Sequence, residues 1–193
     1  MQKALILLLI TASLNCYSQV ANLTIEPNHS TIGFRVPIAD GMTAITGKFT
    51  EYDLKMIYKD GDITKSEFQL TIEVASINTG IPDRDGDLQS AVFFEGEKYP
   101  QIQFKSTEVR KVDKSKYLMK GDLTMKGVTK SIELPFEVTG IDGNAIGVKI
   151  RSSLNRIDFG VGAEFEHTDI PNFIANDILL EIDFWTKRDK RLE

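Results

Sequence analysis

The chain has 193 residues, a net charge of −5, 41% apolar and 26% charged residues, and a pI near 5.2. These values fit one ordinary globule with enough oily side chains for a core. The acidic balance argues against nucleic acid and against anionic membrane surfaces as partners.

Residues 1–18 read as a secretory leader. Lys3 supplies a positive start, Ala4 to Ile10 is an unbroken apolar run, and Cys16-Tyr17-Ser18 offers small residues for cleavage before Gln19. The run is too short to span a bilayer. The expectation is therefore an exported protein, periplasmic or extracellular, with residues 19–193 as one domain. Losing Lys3 and no acid takes the net charge from −5 to −6. Cys16 is the sole cysteine, so cleavage after Ser18 leaves no disulfide. A lipoprotein would keep and acylate Cys16, but Asn15 is a poor residue to precede an acylated cysteine. No later segment is long and apolar enough to cross a membrane.

Leu23-Thr24-Ile25 reads as a short strand and Glu26-Pro27-Asn28 as a turn. Ile32, Phe34, Val36 and Ile38 then alternate with other residues, and Pro37 ends that strand or lies at an edge. Ala39 to Met42 is a loop. Ile45 to Tyr58 is one long strand region, with Gly47 expected to kink or bulge it. Lys59-Asp60-Gly61-Asp62 is a hairpin turn with Asp-Gly at its centre. Phe68-Gln69-Leu70-Thr71-Ile72-Glu73-Val74 pairs back from it, with strict alternation of oily and polar faces.

The pattern breaks between Ser76 and Gln101. Pro82 suits a first helical residue, and Asp83 and Asp85 suit a first turn. Leu88, Val92 and Phe93 continue at helical spacing, which predicts one short helix of two or three turns. Tyr99-Pro100 stops it. Strands resume at Ile102 to Phe104, at Tyr117 to Met125, at Ile132 to Val138, at Ile146 to Ile150 and at Ile178 to Phe184. Lys126-Gly127 and Asp142-Gly143-Asn144 are turns. Arg156 to Thr168 is irregular, and the charged tail from Lys187 to Glu193 is expected to fray.

Eight or so strands with short connections predict an all-β, up-and-down antiparallel barrel with one short helix. The oily parity falls on Phe34 and Val36, on Phe68, Leu70 and Ile72, on Ile102 and Phe104, on Ile132, Leu134 and Phe136, and on Ile178, Leu180 and Ile182. In a barrel these point inward. Alternation alone does not separate a packed barrel from a hollow one.

Several blocks, in order, resemble the YceI-like family of lipocalin-like proteins that bind polyisoprenoids and other lipids. Asn28-His29-Ser30-Thr31-Ile32-Gly33-Phe34 resembles its opening strand, with Glu26 where an acid falls. Gly47-Lys48-Phe49 resembles its Gly-x-Phe step. Ile77 to Gly80 with Arg84-Asp85 and Leu88-Gln89-Ser90 resembles its helix segment, and Phe93-Phe94 with Tyr99 to Thr107 its most specific block. Gly121 to Lys130 resembles its Gly-Asp-Leu-Thr hairpin, and Asn155 to Gly160 a late block. Many members carry His where this chain has Asp87.

The resemblance implies an eight-stranded antiparallel lipocalin-like barrel, a helix near one end and an apolar cavity. It implies an exported protein that holds an isoprenoid, quinone-like or fatty amide chain, with no catalytic residues. The cavity wall would then be Phe34, Val36, Phe49, Phe68, Leu70, Ile72, Phe93, Ile102, Phe104, Leu134, Phe136 and Leu180. Arg84 is the head-group candidate, able to meet a phosphate or carbonyl. It is equally a structural residue that ties the helix to the barrel, with Asp85 favouring the helix start.

Two other classes stay open: a barrel that acts as an adhesion or stress module through its outer surface, and a secreted hydrolase. The second lacks a nucleophile elbow beside His29 and Ser30. His167 with Glu164, Glu166 and Asp169 reads as a solvated acidic loop rather than a zinc site. No cofactor is expected besides a bound lipid, and a homodimer is compatible with the composition.

Overall fold

Alternation in the sequence becomes a sheet that closes on itself. The computed structural model describes residues 20–143 and 145–190. The leader, Cys16 and the last three residues lie outside them.

In chain order the strands are β1 (Val20–Ile25), β2 (Thr31–Ile38), β3 (Thr43–Phe49), β4 (Tyr52–Lys59), β5 (Asp62–Glu73) and β6 (Ile77–Asn78). Helix α1 (Pro82–Gln89) follows, then β7 (Gln101–Lys111), β8 (Lys116–Met125), β9 (Val128–Asp142), β10 (Ala145–Asn155) and β11 (Asp177–Arg188). Neighbours pair in the order β1-β4-β5-β7-β8-β9-β10-β11, and β11 returns to β1, which closes an eight-stranded antiparallel barrel. Closure removes the free edges that an open sheet would expose.

β2 and β3 extend the wall at one end. β2 continues β1 along the same neighbour, pairing Ile32 with Ile182 of β11. β3 continues β4 and pairs with β2. The first joint is a 3-10 turn, Pro27–His29, where Ser30 Oγ donates to Glu26 O at 2.6 Å. The second is Thr50-Glu51, so the predicted long strand over 45–58 breaks there. Gly47 does not bulge. Its register with Phe34 is unbroken, and it is small for another reason: a Cβ would collide with the Phe34 ring.

Pro37 sits inside β2 without breaking it. The ladder to β11 stops at Arg35, and beyond it Pro37 only accepts, its O receiving Ala175 N–H at 3.0 Å. The helix has the two turns predicted but does not reach Val92 and Phe93. α1 ends at Gln89, and Ser90 to Lys98 turns back on itself, with Glu95 N–H donating to Ser90 O. Val92 and Phe93 therefore lie beyond it. The expected fraying of the tail from Lys187 is also overturned over its first residues. β11 runs to Arg188, and buried Asp189 donates its N–H to Asn22 O at 2.9 Å.

The hairpins at Asp60-Gly61 and Gly143 and the turn at Val112–Ser115 form one end of the barrel. The other end carries the segment 79–100 with α1 and the segment 156–176. Lys126, in the β8–β9 turn, holds these together: its Nζ donates to Ala91 O, Val92 O and Gly160 O at 2.8–3.2 Å.

Candidate functional site

The inward parity is the one the alternation predicts, but its burial is uneven along the barrel axis. Near the hairpin end the faces meet. Met56 and Ile146 are 0% exposed and Phe136 is 4% exposed. Phe136 lies edge-on to Phe68 at 5.9 Å and stacks on Tyr117 at 5.3 Å. Toward the other end, inward residues of the same kind are only half-buried: Phe34, Val36, Leu70, Leu154, Ile178 and Leu180. Those side chains border a void inside the barrel, although Phe34, Leu70, Leu154 and Leu180 also touch the core.

The void has two chambers. An inner one of about 110 Å³ lies mid-barrel, and an outer one of about 330 Å³ lies under α1 and the segment 156–176. The outer chamber alone reaches the size at which small-molecule sites begin. Phe34, Phe49, Ile102, Met125, Leu154 and Leu180 line both, so the chambers meet at that ring of residues.

Of the predicted wall, Val36 and Phe93 line the outer chamber, and Phe68, Leu70, Ile72, Phe104 and Leu134 the inner one. Phe136 lies outside both walls, because Phe68 and Tyr117 cover its two sides. It belongs to the packed end. The pattern did not single out Phe165, Phe173 and Ile174, which close the outer chamber from the connection between β10 and β11. No alternation marks that connection, so periodicity had nothing to read.

Two cations line the outer chamber. Arg84, on α1, donates through Nε to Thr79 Oγ1 at 2.8 Å and through Nη2 to Thr79 O at 3.0 Å. Asp85 faces Thr79 too, accepting from its N–H and hydroxyl at 2.8 and 2.5 Å. This three-residue network fixes the start of α1 against the end of β6, so the structural role weighed for Arg84 is present. These bonds use two of its five N–H donors, and the residue lines the chamber. Asp87, one turn on, lines the same chamber.

Arg156 is buried, and sequence reasoning passed over it. All five of its N–H donors are used: Nε on Ala175 O, Nη1 on Val161 O and Gly162 O, and Nη2 on Ile174 O and Asn176 Oδ1, at 2.6–3.4 Å. These acceptors are uncharged, so burial pulls the guanidinium below its ordinary pKa. Its role is to staple the two ends of the 160–176 segment over the chamber. Asn155 starts that segment by accepting from Ile157 N–H, and Gly160 turns it at φ 71°.

His29 stacks against Trp185 at 5.0 Å, and neither residue lines a chamber. His167 Nδ1 accepts from the N–H groups of Asp169 and Ile170, and its ring lies 4.3 Å from Phe173. Among the described residues no cluster of three His, Cys, Asp or Glu is placed to hold a metal, and no helix is long and apolar enough to cross a membrane.

The YceI-like domain profile matches residues 23–185. The chain belongs to the YceI-like family. A UPF0312 protein of Photorhabdus laumondii is 36% identical over 130 residues, which is 66% of this chain and 67% of that one. The crystal structure of Burkholderia cenocepacia BcnA superposes with a TM-score of 0.76 at 20% identity, covering 84% of this chain and 99% of the other. A polyisoprenoid binding domain from Saccharophagus degradans superposes at 0.70 with 17% identity, covering 86% and 98%. Both superpositions carry the barrel fold of the YceI-like chain.

Proposed function

We propose that this YceI-like protein is exported and holds one long apolar chain inside its barrel, with the polar end of the ligand at the Arg84 rim. The observation that carries this reading is the row of inward apolar side chains left half-exposed onto a chamber closed at one end. Membership of the YceI-like family supports it, as does the fold shared with a domain known to bind polyisoprenoids. Export rests on Lys3 and the Ala4 to Ile10 run. Of the exposed large apolar residues, Met42, Ile81, Val92, Val128, Ile157 and Ile170 lie at the mouth end, and Val20, Val112 and Ile141 at the far end.

The energetics favour a chain over a compact guest. Each methylene taken from water contributes about 0.8 kcal/mol. Ten contribute about 8 kcal/mol, against an association cost of about 4–15 kcal/mol. A short chain is therefore held weakly and a long one well. Binding needs no chemistry from the protein, and the wall supplies none: its polar members are Thr79, Arg84, Asp87 and Arg156.

Native mass spectrometry of the purified protein tests this. The expected result is a lipid adduct that organic extraction removes and that returns when the stripped protein meets prenyl or acyl chains. A protein that carries nothing and takes up no such chain overturns it.

A further inference from the structure

The inner chamber has a floor at Phe136 and a neck at the ring of residues that line both chambers. Below Phe68 the barrel is solid, because the Phe136 ring fills the lumen between Phe68 and Tyr117. Phe34 is the neck residue that leans on Gly47, and it lines both chambers. Its ring lies over Gly47 of the paired strand, in the place that a Cβ there would occupy, with ring carbons at 2.9 and 3.0 Å from that point. Gly47 thus lets Phe34 fold back against the wall and keeps the passage open.

The distance from mouth to floor follows from β11, whose inward residues run from Ile178 in the outer chamber to Phe184 in the inner one. Six residues at about 3.4 Å each give about 20 Å along the strand. With barrel strands tilted about 40°, that is about 15 Å along the axis. A zigzag of C–C bonds of about 1.5 Å advances about 1.25 Å per carbon.

We propose that the cavity measures chain length: it encloses a single linear chain of about 12–16 carbons, or three to four isoprene units, with Phe136 as the stop and Gly47 as the residue that admits the chain past the neck. The proposal rests on the reading that the barrel holds an apolar chain, and it narrows that reading. A chain of eight isoprene units would leave at least half its length outside.

The test uses stripped full-length protein and two probe series: saturated fatty acids of about 8–24 carbons and all-trans prenyl alcohols of about two to nine units, the range bracketing the depth estimated above. Affinity is read by displacement of 1-anilinonaphthalene-8-sulfonate. In the native protein affinity should rise about fourfold per methylene and then level off at about 12–16 carbons. Gly47→Ala drives the Phe34 ring into the neck, so the levelling should come about eight carbons earlier. Phe136→Leu lowers the floor, so it should come about two carbons later. Thermal unfolding of each variant verifies that it is folded. An affinity that keeps rising past about 20 carbons, or a break point that neither variant moves, overturns the ruler and leaves the carrier reading standing. Failure of every chain to bind overturns both.

Discussion

The two halves of the barrel are built from the same alternation and end in opposite states. At the hairpin end, β4, β5, β8, β9 and β10 send Met56, Phe68, Met119, Phe136 and Ile146 inward, and they close on one another. At the other end β2, β10 and β11 send Phe34, Leu154 and Leu180 inward by the same rule, and they pack against the core on one side and border the void on the other. The difference lies in what faces them. The lower half is a full ring of ladders, so each inward side chain meets others across a narrow lumen. The upper half is widened by β2 and β3 and roofed by two segments with no strand periodicity. Those segments are held by main-chain carbonyls at Lys126 and Arg156 and by packing of Phe94, Phe159 and Val161 into the core. Emptiness here comes from the roof, which bridges the lumen without filling it.

The sharpest way to break the contrast is to remove one inward side chain from each half. Phe136→Ala deletes a side chain that is 4% exposed and touched on both faces. It should cost about 3–5 kcal/mol in urea unfolding. Leu180→Ala deletes a half-buried wall residue that already borders a void. Its cost should fall below the usual range of about 2–5 kcal/mol for a packed leucine. Equal losses at the two sites would mean that the upper half is as tightly packed as the lower.

Arg156→Lys tests the roof alone. Lysine has three donors on a point charge and no fork, so it cannot serve five acceptors spread over Val161, Gly162, Ala175, Ile174 and Asn176. Carbonyls left unpaired in a buried site cost about 1–3 kcal/mol. The loss should appear as faster amide exchange across 160–176 and weaker chain binding, with strand amides near Phe136 protected as before. Uniform loss of protection would show that the roof and the barrel unfold as one unit.

This division also explains what the sequence made legible. Strand parity, the Asp60-Gly61 hairpin and the Pro82 helix start are local signals, and a reader of periodicity finds them. The closed eight-stranded barrel came through with them, as did the inward set from Phe34 to Leu180. Phe136 was placed on the cavity wall because parity reports direction and says nothing of what lies opposite. Gly47 was read as a bulge because glycine signals freedom of the backbone, whereas here it makes room for a neighbour's ring. Phe165, Phe173 and Arg156 act through carbonyls and contacts distant in sequence, and no period encodes those. The Lys187 tail looked free because its charges alternate with nothing, although β1 and β11 had still to close the ring.

The smallest effect concerns the joint between the two halves. Glu26 sits where β1 gives way to β2, and its carboxylate pairs with Lys187 Nζ on β11 at 2.5 Å. The hydrogen bond from Lys187 is the chief cause that holds the Glu26 carboxyl below its ordinary pKa. A carboxyl lowered in the folded state stabilises above its unfolded pKa, and that stability drains away as pH falls through the lower folded value. Lys187→Gln should therefore melt slightly below the native protein at pH 7, and the gap should close as pH drops below about 4. The pair is at the surface, so about 0.3 M salt should shrink the gap as well. A gap that stays constant from pH 7 to pH 3 would assign the effect of Lys187 to the packing of its aliphatic stem on β1, and the joint would then be held by the ladder pair Thr24↔Lys187 rather than by charge.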